Sequence, residues 1–179
     1  YLADAVADGA VVEVRDNSFD TLAASAVYAA GIELQMEGAN TIDGVDNGHA
    51  AVALDTVTGT VSGLTVANGS GPGLTAVGSD LTITGCELVG SASHNLDLRD
   101  STIQVLDNPA LSQGSSAGIR LGGVVQGVIT GNTIQDNAAY GIHCDSADVV
   151  LDACDNTMGG NTPADLYAEN GCVLACSVQ

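Results

Sequence analysis

The chain has 179 residues, 45% of them hydrophobic, which suffices for one real core and rules out a disordered polymer. Twenty-two acids stand against three arginines (Arg15, Arg99, Arg120) and no lysine, a formal charge of −19. Such a surface repels phosphate backbones and anionic lipid, so nucleic acid and membrane surfaces are not expected partners.

No apolar run approaches the roughly 18 residues that cross a bilayer as a helix. The first residue is Tyr rather than Met, and the chain reads as a mature product or an excised segment. With one Phe, four Tyr and no Trp, the core must be laid down in thin layers of Val, Ile, Leu and Ala, which suits a solenoid.

The organising unit is Ile129-Thr130-Gly131-Asn132-Thr133-Ile134, followed by Tyr140-Gly141-Ile142-His143-Cys144. Apolar residues alternate with polar ones on both sides of a Gly-Asn corner, so one short strand bends into the next with its apolar side chains facing inward. Taken along the chain, the same corner recurs as Asp16-Asn17, Ala39-Asn40, Gly63-Leu64, Gly85-Cys86, Asp107-Asn108, Gly131-Asn132 and Asp155-Asn156. The apolar residue that follows falls at 19, 42, 66, 88, 110, 134 and 158. A second apolar column, Ile32, Val52, Leu74, Leu96, Ile119, Ile142 and Leu166, keeps the same period.

A repeat of 22 to 24 residues admits a leucine-rich repeat or a parallel β-helix. Return segments such as Asn68-Gly69-Ser70-Gly71-Pro72 cannot sustain a helix, which leaves the β-helix. On these corners the chain resembles the right-handed parallel β-helix repeat family of the pectin-lyase-like superfamily over essentially its whole length. The implied fold is all-β, a single-stranded solenoid of about seven rungs of 22–24 residues, forming one domain over residues 1–179 and a segment of a longer solenoid. The resemblance also implies an inward asparagine ladder, and Asn17, Asn40, Asn108, Asn132 and Asn156 occupy its column, interrupted by Leu64 and Cys86. An asparagine tolerates the corner's left-handed backbone and its amide can bond to its copy one rung away. Glu37 falls in an otherwise apolar column (Val14, Val61, Ile83, Val105, Ile129, Ala153), where a bulge would turn it out to solvent.

Five cysteines leave at least one unpaired within the chain. Cys154 and Cys176 share one phase on adjacent rungs and form the disulfide candidate. Cys86 packs as a small hydrophobe. No metal centre is expected from Cys144, Cys154 and His143, because no tight Cys-x-x-Cys pair supports one.

The outward residues of the third strand in each rung give one column of Glu33, Ala53, Thr75, Asp97, Arg120, His143 and Tyr167. A second holds Gln35, Asp55, Val77, Arg99, Gly122, Asp145 and Glu169. Lyases and epimerases resembling this superfamily often work from an outer strand face with a basic or phenolic proton acceptor and a cation. By that resemblance Asp97, Arg120, His143 and Tyr167 are the candidate catalytic residues, with Arg99, Asp145 and Glu169 as binding residues. Calcium is the cofactor such carboxylates would hold. His49 and His94 read as solvated turn residues.

The expected function is an extracellular or cell-surface structural or adhesive module that binds carbohydrate along a strand face, with neighbouring solenoid segments as partners and end-to-end self-association as a further expectation. The alternative is a lyase- or epimerase-like enzyme acting on acidic polysaccharide. Two arginines against five carboxylates in those columns argue against an anionic substrate unless calcium bridges it.

Overall fold

Each rung is made of three short apolar–polar alternations separated by residues that accept a left-handed backbone. After the first strand of successive rungs the positive-φ residue is Asp16, Gly38, Gly63, Gly85, Asp107, Gly131 or Asp155; within or just after the second it is Thr21, Gly44, Asn68, Gly90, Gln113, Asp136 or Gly160. Glycine, asparagine and aspartate tolerate that conformation best. Corner aspartates also bond to the next rung: Asp16 Oδ1 accepts the Ala39 N–H and, after a third strand, the positive-φ Asp100 accepts the Val124 N–H through Oδ1, each at 3.0 Å.

The computed structural model describes residues 10–146 and 148–175. Val11–Arg15, Ser18–Leu22 and Val27–Ala30 form the first triplet of strands, six more triplets follow, and Val173–Ala175 begins another. First strands pair only with first strands, seconds with seconds and thirds with thirds, always parallel, so three sheet faces wrap one core. No helix occurs among the described residues. The third sheet consists of Val27–Ala30, Val52–Asp55, Leu74–Val77, Leu96–Arg99, Ile119–Gly122, Tyr140–Cys144 and Ala164–Ala168.

Like stacks on like inside. Leu34, Leu81 and Ile103 form one column of the first sheet and Leu74, Leu96, Ile119 and Ile142 one column of the third, all essentially without solvent contact. This regular aliphatic packing removes the need for aromatic anchors. At the first corner Asn17 Nδ2 donates to Asn40 Oδ1 (3.2 Å), Asn108 Nδ2 to Asn132 Oδ1 (2.7 Å) and Asn132 Nδ2 to Asn156 Oδ1 (2.8 Å). Leu64 and Cys86 interrupt the ladder as dry residues, and the Cys86 N–H is met by Asn108 Oδ1 at 2.9 Å.

A second amide ladder was not legible from the repeat. Asn137 Nδ2 donates to Asn161 Oδ1 at 2.9 Å, and Asn95 Nδ2 donates to Asn137 Oδ1 at 3.0 Å. The intervening rung carries Gly114 in this column, where a Cβ would come within 3.2 Å of Asn95 Nδ2. Asn95 therefore fills the missing amide's place from a neighbouring position. Because Ser91 and Gly114 occupy the column's earlier rungs, only two asparagines recur at the period.

Three register assignments from the sequence need correction. Glu37 is not in the apolar column: Met36 is, opposite Val14 and Val61, and Glu37 lies outside against Arg15 at 3.0 Å. The extra residue sits in the Gly38-Ala39 corner, so the strand runs to Glu37 without a bulge. In the third sheet Val27, not Ile32, pairs with Val52. The strong alternation of Ile32-Glu33-Leu34-Gln35-Met36 belongs to the next rung's first strand, where Glu33 and Gln35 face Val11 and Glu13. Finally Leu111, not Ala110, follows Leu88 in the second sheet, because Pro109 is an added corner residue that cannot donate to the ladder.

Cys144 and Cys172 form a disulfide across 28 residues, joining the third strand of one rung to the turn after the third strand of the next. That pairing was not expected, since the two cysteines occupy different columns. The expected Cys154–Cys176 bridge lies outside the described residues because Cys176 does. Cys86 is free and buried, and burial pushes its thiol up to about 11.

Candidate functional site

The third sheet brings the candidate residues together on its outer face. Asp97, Arg120, His143 and Tyr167 are exact register partners on four consecutive rungs. Tyr28 and Ala30 take the places expected for Glu33 and Gln35, which removes both of those from the strip. Arg99 pairs with Gly122 in the next outward column. Asp145 and Glu169 continue it, since the Asp145 N–H donates to Leu121 O and the Glu169 N–H to Cys144 O.

Asp97 is the centre of the strip. Its side chain is only 5% exposed, although it points to the outer face, because two guanidiniums cover it. Arg99 makes a two-pronged contact, Nε to Oδ1 at 3.0 Å and Nη2 to Oδ2 at 2.6 Å. Arg120 reaches from the next rung with Nη1 at 3.2 Å from Oδ1, while its Nη2 bonds Asp145. The Asp97 bond holds the Arg99 guanidinium above its usual proton affinity, so it stays charged. Gly122 leaves room for this lattice: a Cβ there would lie 3.0 Å from Asp145 Oδ1 and 3.6 Å from Arg120 Nη2.

One rung on, His143 Nε2 lies 3.0 Å from Glu169 Oε1. The imidazole sits beside a pair of tyrosines. Tyr140 and Tyr167 stack with centroids 4.4 Å apart and planes 8° from parallel, and His143 lies 5.1 and 5.4 Å from them. Tyr167 is 38% exposed, so the stack borders solvent.

Two members escaped the sequence. Tyr140 and His94 each precede an apolar anchor (Ile142, Leu96) by two residues. Simple alternation would turn them inward, but Tyr140, the first residue of its strand, stacks on Tyr167, and His94, in the turn before Leu96, comes within electrostatic reach of Asp97 and Arg120. The expectation that His94 is a solvated turn residue is therefore overturned. It is half-buried, and its Nδ1 accepts the Ala117 N–H at 3.2 Å. Burial lowers its proton affinity against the opposing pull of Asp97, while Arg120, His143 and Arg99 lower it further. The ring is therefore neutral with its proton on Nε2. His49 is exposed. The column offset of two is the signal that could have found Tyr140 and His94.

No group of three or more His, Cys, Asp or Glu side chains arranged to hold a metal ion occurs among the described residues. Asp97, Asp145 and Glu169 are instead engaged by Arg99, Arg120 and His143. The strip's chemistry is thus a lattice of paired charges beside an aromatic platform.

Against known proteins, no curated protein matches the chain. Among solved structures it is similar to the A-module of the mannuronan C-5 epimerase AlgE4 from Azotobacter vinelandii, at 12% identity and a TM-score of 0.56. The alignment covers 92% of this chain and 58% of that one, so the chain spans little more than half of that structure's length. At this identity the likeness speaks for the fold alone. A family model described as the right handed beta helix region matches residues 5–177. The chain, with its parallel strand triplets and stacked asparagines, thus belongs to the right-handed β-helix family, with the pectin-lyase-like fold.

Proposed function

We propose that this β-helix is a structural or adhesive module that binds carbohydrate along the outer face of its third sheet. The observation that carries the reading is the Tyr140–Tyr167 stack set against His143 and its Glu169 partner, on the same sheet face as the Asp97–Arg120–Asp145 lattice. A sugar ring presents an apolar C–H face to an aromatic ring and hydroxyls to fixed donors and acceptors beside it. Rungs about 4.8 Å apart offer such groups in a line that suits an extended chain more than a single sugar.

The test is binding of a panel of immobilised oligosaccharides to the full chain and to Tyr167→Ala. The expected result is binding by the parent and a loss of about tenfold or more in the variant, the worth of one lost aromatic contact. Equal binding by both removes the strip from the reading.

A second reading is favoured by one observation: His143, held by Glu169, lies beside the Tyr167 ring. That juxtaposes two groups able to move a proton, as an epimerase- or lyase-like enzyme acting on acidic polysaccharide requires. Its solved structural relative is named a mannuronan C-5 epimerase. Incubation with polyuronates and calcium, read as new unsaturated ends or as changed sugar configuration, tests it. No turnover by the parent chain sinks it.

A further inference from the structure

We propose that the third-sheet strip selects uncharged glycans and rejects polyuronates, an inference that rests on the carbohydrate reading above and names its ligand class. The chain has three arginines and no lysine, and every arginine is engaged by carboxylates. Arg15 pairs with Glu13 at 3.3 Å and with Glu37 at 3.0 Å on the first sheet. Arg99 holds Asp97 with two nitrogens. Arg120 is divided between Asp97 and Asp145. No arginine is left without a carboxylate partner.

A uronate that engages Arg120 has to take it from two carboxylates already in contact with it. That exchange would take from Asp145, 22% exposed, its guanidinium and leave the 5% exposed Asp97 with Arg99 alone, and breaking a partly buried charge pair is disfavoured. The alternative, binding without displacement, adds a negative group to Asp97, Asp145 and Glu169 against Arg99 and Arg120 alone. That is net repulsion within a chain already at −19.

Hydroxyl groups meet neither obstacle, because each both donates and accepts. The lattice keeps outward capacity of both kinds: Arg99 is 46% exposed and carries N–H groups beyond the two on Asp97, and Glu169 is 39% exposed with a second oxygen. Gly122, buried beneath them, lets Asp145, Arg120 and Arg99 close over the backbone at this rung. The tyrosine stack lies one and two rungs further along the same face. A neutral pyranose chain laid along the strip meets the outward donors and acceptors of Arg99 and Glu169, then the ring face, without disturbing an ion pair.

The experiment compares the full chain's affinity for hexamers of glucose, mannose and xylose with that for hexamers of mannuronate and galacturonate, in chelator and over a range of salt. The expected result is a neutral hexamer that binds at least about tenfold more tightly than any uronate, with residual uronate binding that strengthens as salt rises, since screening relieves repulsion. Asp145→Asn, which removes one competitor for Arg120, should narrow the gap by raising uronate affinity. Uronate binding equal to or tighter than neutral binding, or weakening with salt, overturns this inference while leaving the carbohydrate reading in place. Binding of no hexamer at millimolar concentration overturns both.

Discussion

Asp97 and Arg120 face one another on adjacent rungs, their atoms 3.2 Å apart, with a second arginine on the aspartate's other flank. This relationship is a support as well as a surface feature, and its removal should show in stability. Asp97→Asn leaves two guanidiniums without their shared counter-charge. The expected loss is about 2 kcal/mol, short of the roughly 3–5 kcal/mol for a fully buried pair, because solvent reaches both arginines. Urea unfolding measures it, and an unchanged midpoint would mean that the lattice contributes nothing to the fold.

The inner ladder should be more sensitive still. Asn132 Nδ2 serves Val105 O, Thr130 O and Asn156 Oδ1, and its Oδ1 takes bonds from Asn108. Asn132→Ala deprives several buried partners at once and should cost about 3 kcal/mol, whereas Asn17→Ala at the exposed end should cost under about 1 kcal/mol. Similar losses for the two variants would contradict the buried-ladder account.

Gly127 sits within a strand at φ +133, and a Cβ built on it would lie 1.7 Å from the Ile103 carbonyl oxygen. Gly127→Ala should therefore lose at least about 3 kcal/mol from strain and forced displacement. Gly159→Ala is the control: nothing lies within 4 Å of its Cβ, and the change should stay within about 0.5 kcal/mol. Thermal melts of the pair read the contrast directly.

The Cys144–Cys172 bridge closes 28 residues, and chain-entropy arithmetic gives roughly 3–4 kcal/mol for a loop of that size. The Cys144→Ser, Cys172→Ser double variant should melt at a correspondingly lower temperature. In the parent, Cys86 should resist iodoacetamide at mildly alkaline pH until the chain unfolds, since its thiol is buried and pushed up to about 11. Rapid labelling of native Cys86 would contradict its burial.

His94 gives a pH dependence of definite sign. Its folded-state proton affinity lies below the ordinary value of 6.5, so below pH 6.5 the unfolded chain binds more protons than the folded one. Stability is therefore intact above 6.5 and falls as pH drops from there through the lower folded value. His94→Gln should flatten that part of the acid limb in urea titrations compared at pH 7.5 and 5.5. An identical slope for parent and variant would remove His94 as a cause.

What could be read from the sequence divides along physical lines. The corner asparagines Asn40, Asn108 and Asn132 and the alternation around Ile142 report directly on a repeating backbone, so the solenoid and the register of Asp97, Arg120, His143 and Tyr167 were legible. Errors arose where a corner absorbed an extra residue, at Gly38-Ala39 and Pro109, because alternation is silent about which side of a turn an insertion lies on. Val27 was missed for a different reason: its strand, Val27-Tyr28-Ala29-Ala30, patterns more weakly than the Ile32–Met36 run beside it. Tyr140 is the first residue of its strand, and His94 and Cys172 belong to turns entering or leaving strands, places where the period-two rule no longer says which way a side chain points.

The two amide ladders do not run the same length. One is broken at Leu64 and Cys86, while Asn95, Asn137 and Asn161 add a second seam only in the later rungs. The later half is thus riveted along two lines and the earlier half along one short line, which gives an otherwise monotonous stack a direction. Under tension, or in slow amide exchange, the amino-terminal turns should yield first, and the doubly riveted block that carries the Asp97–Tyr167 strip should be the last to come apart.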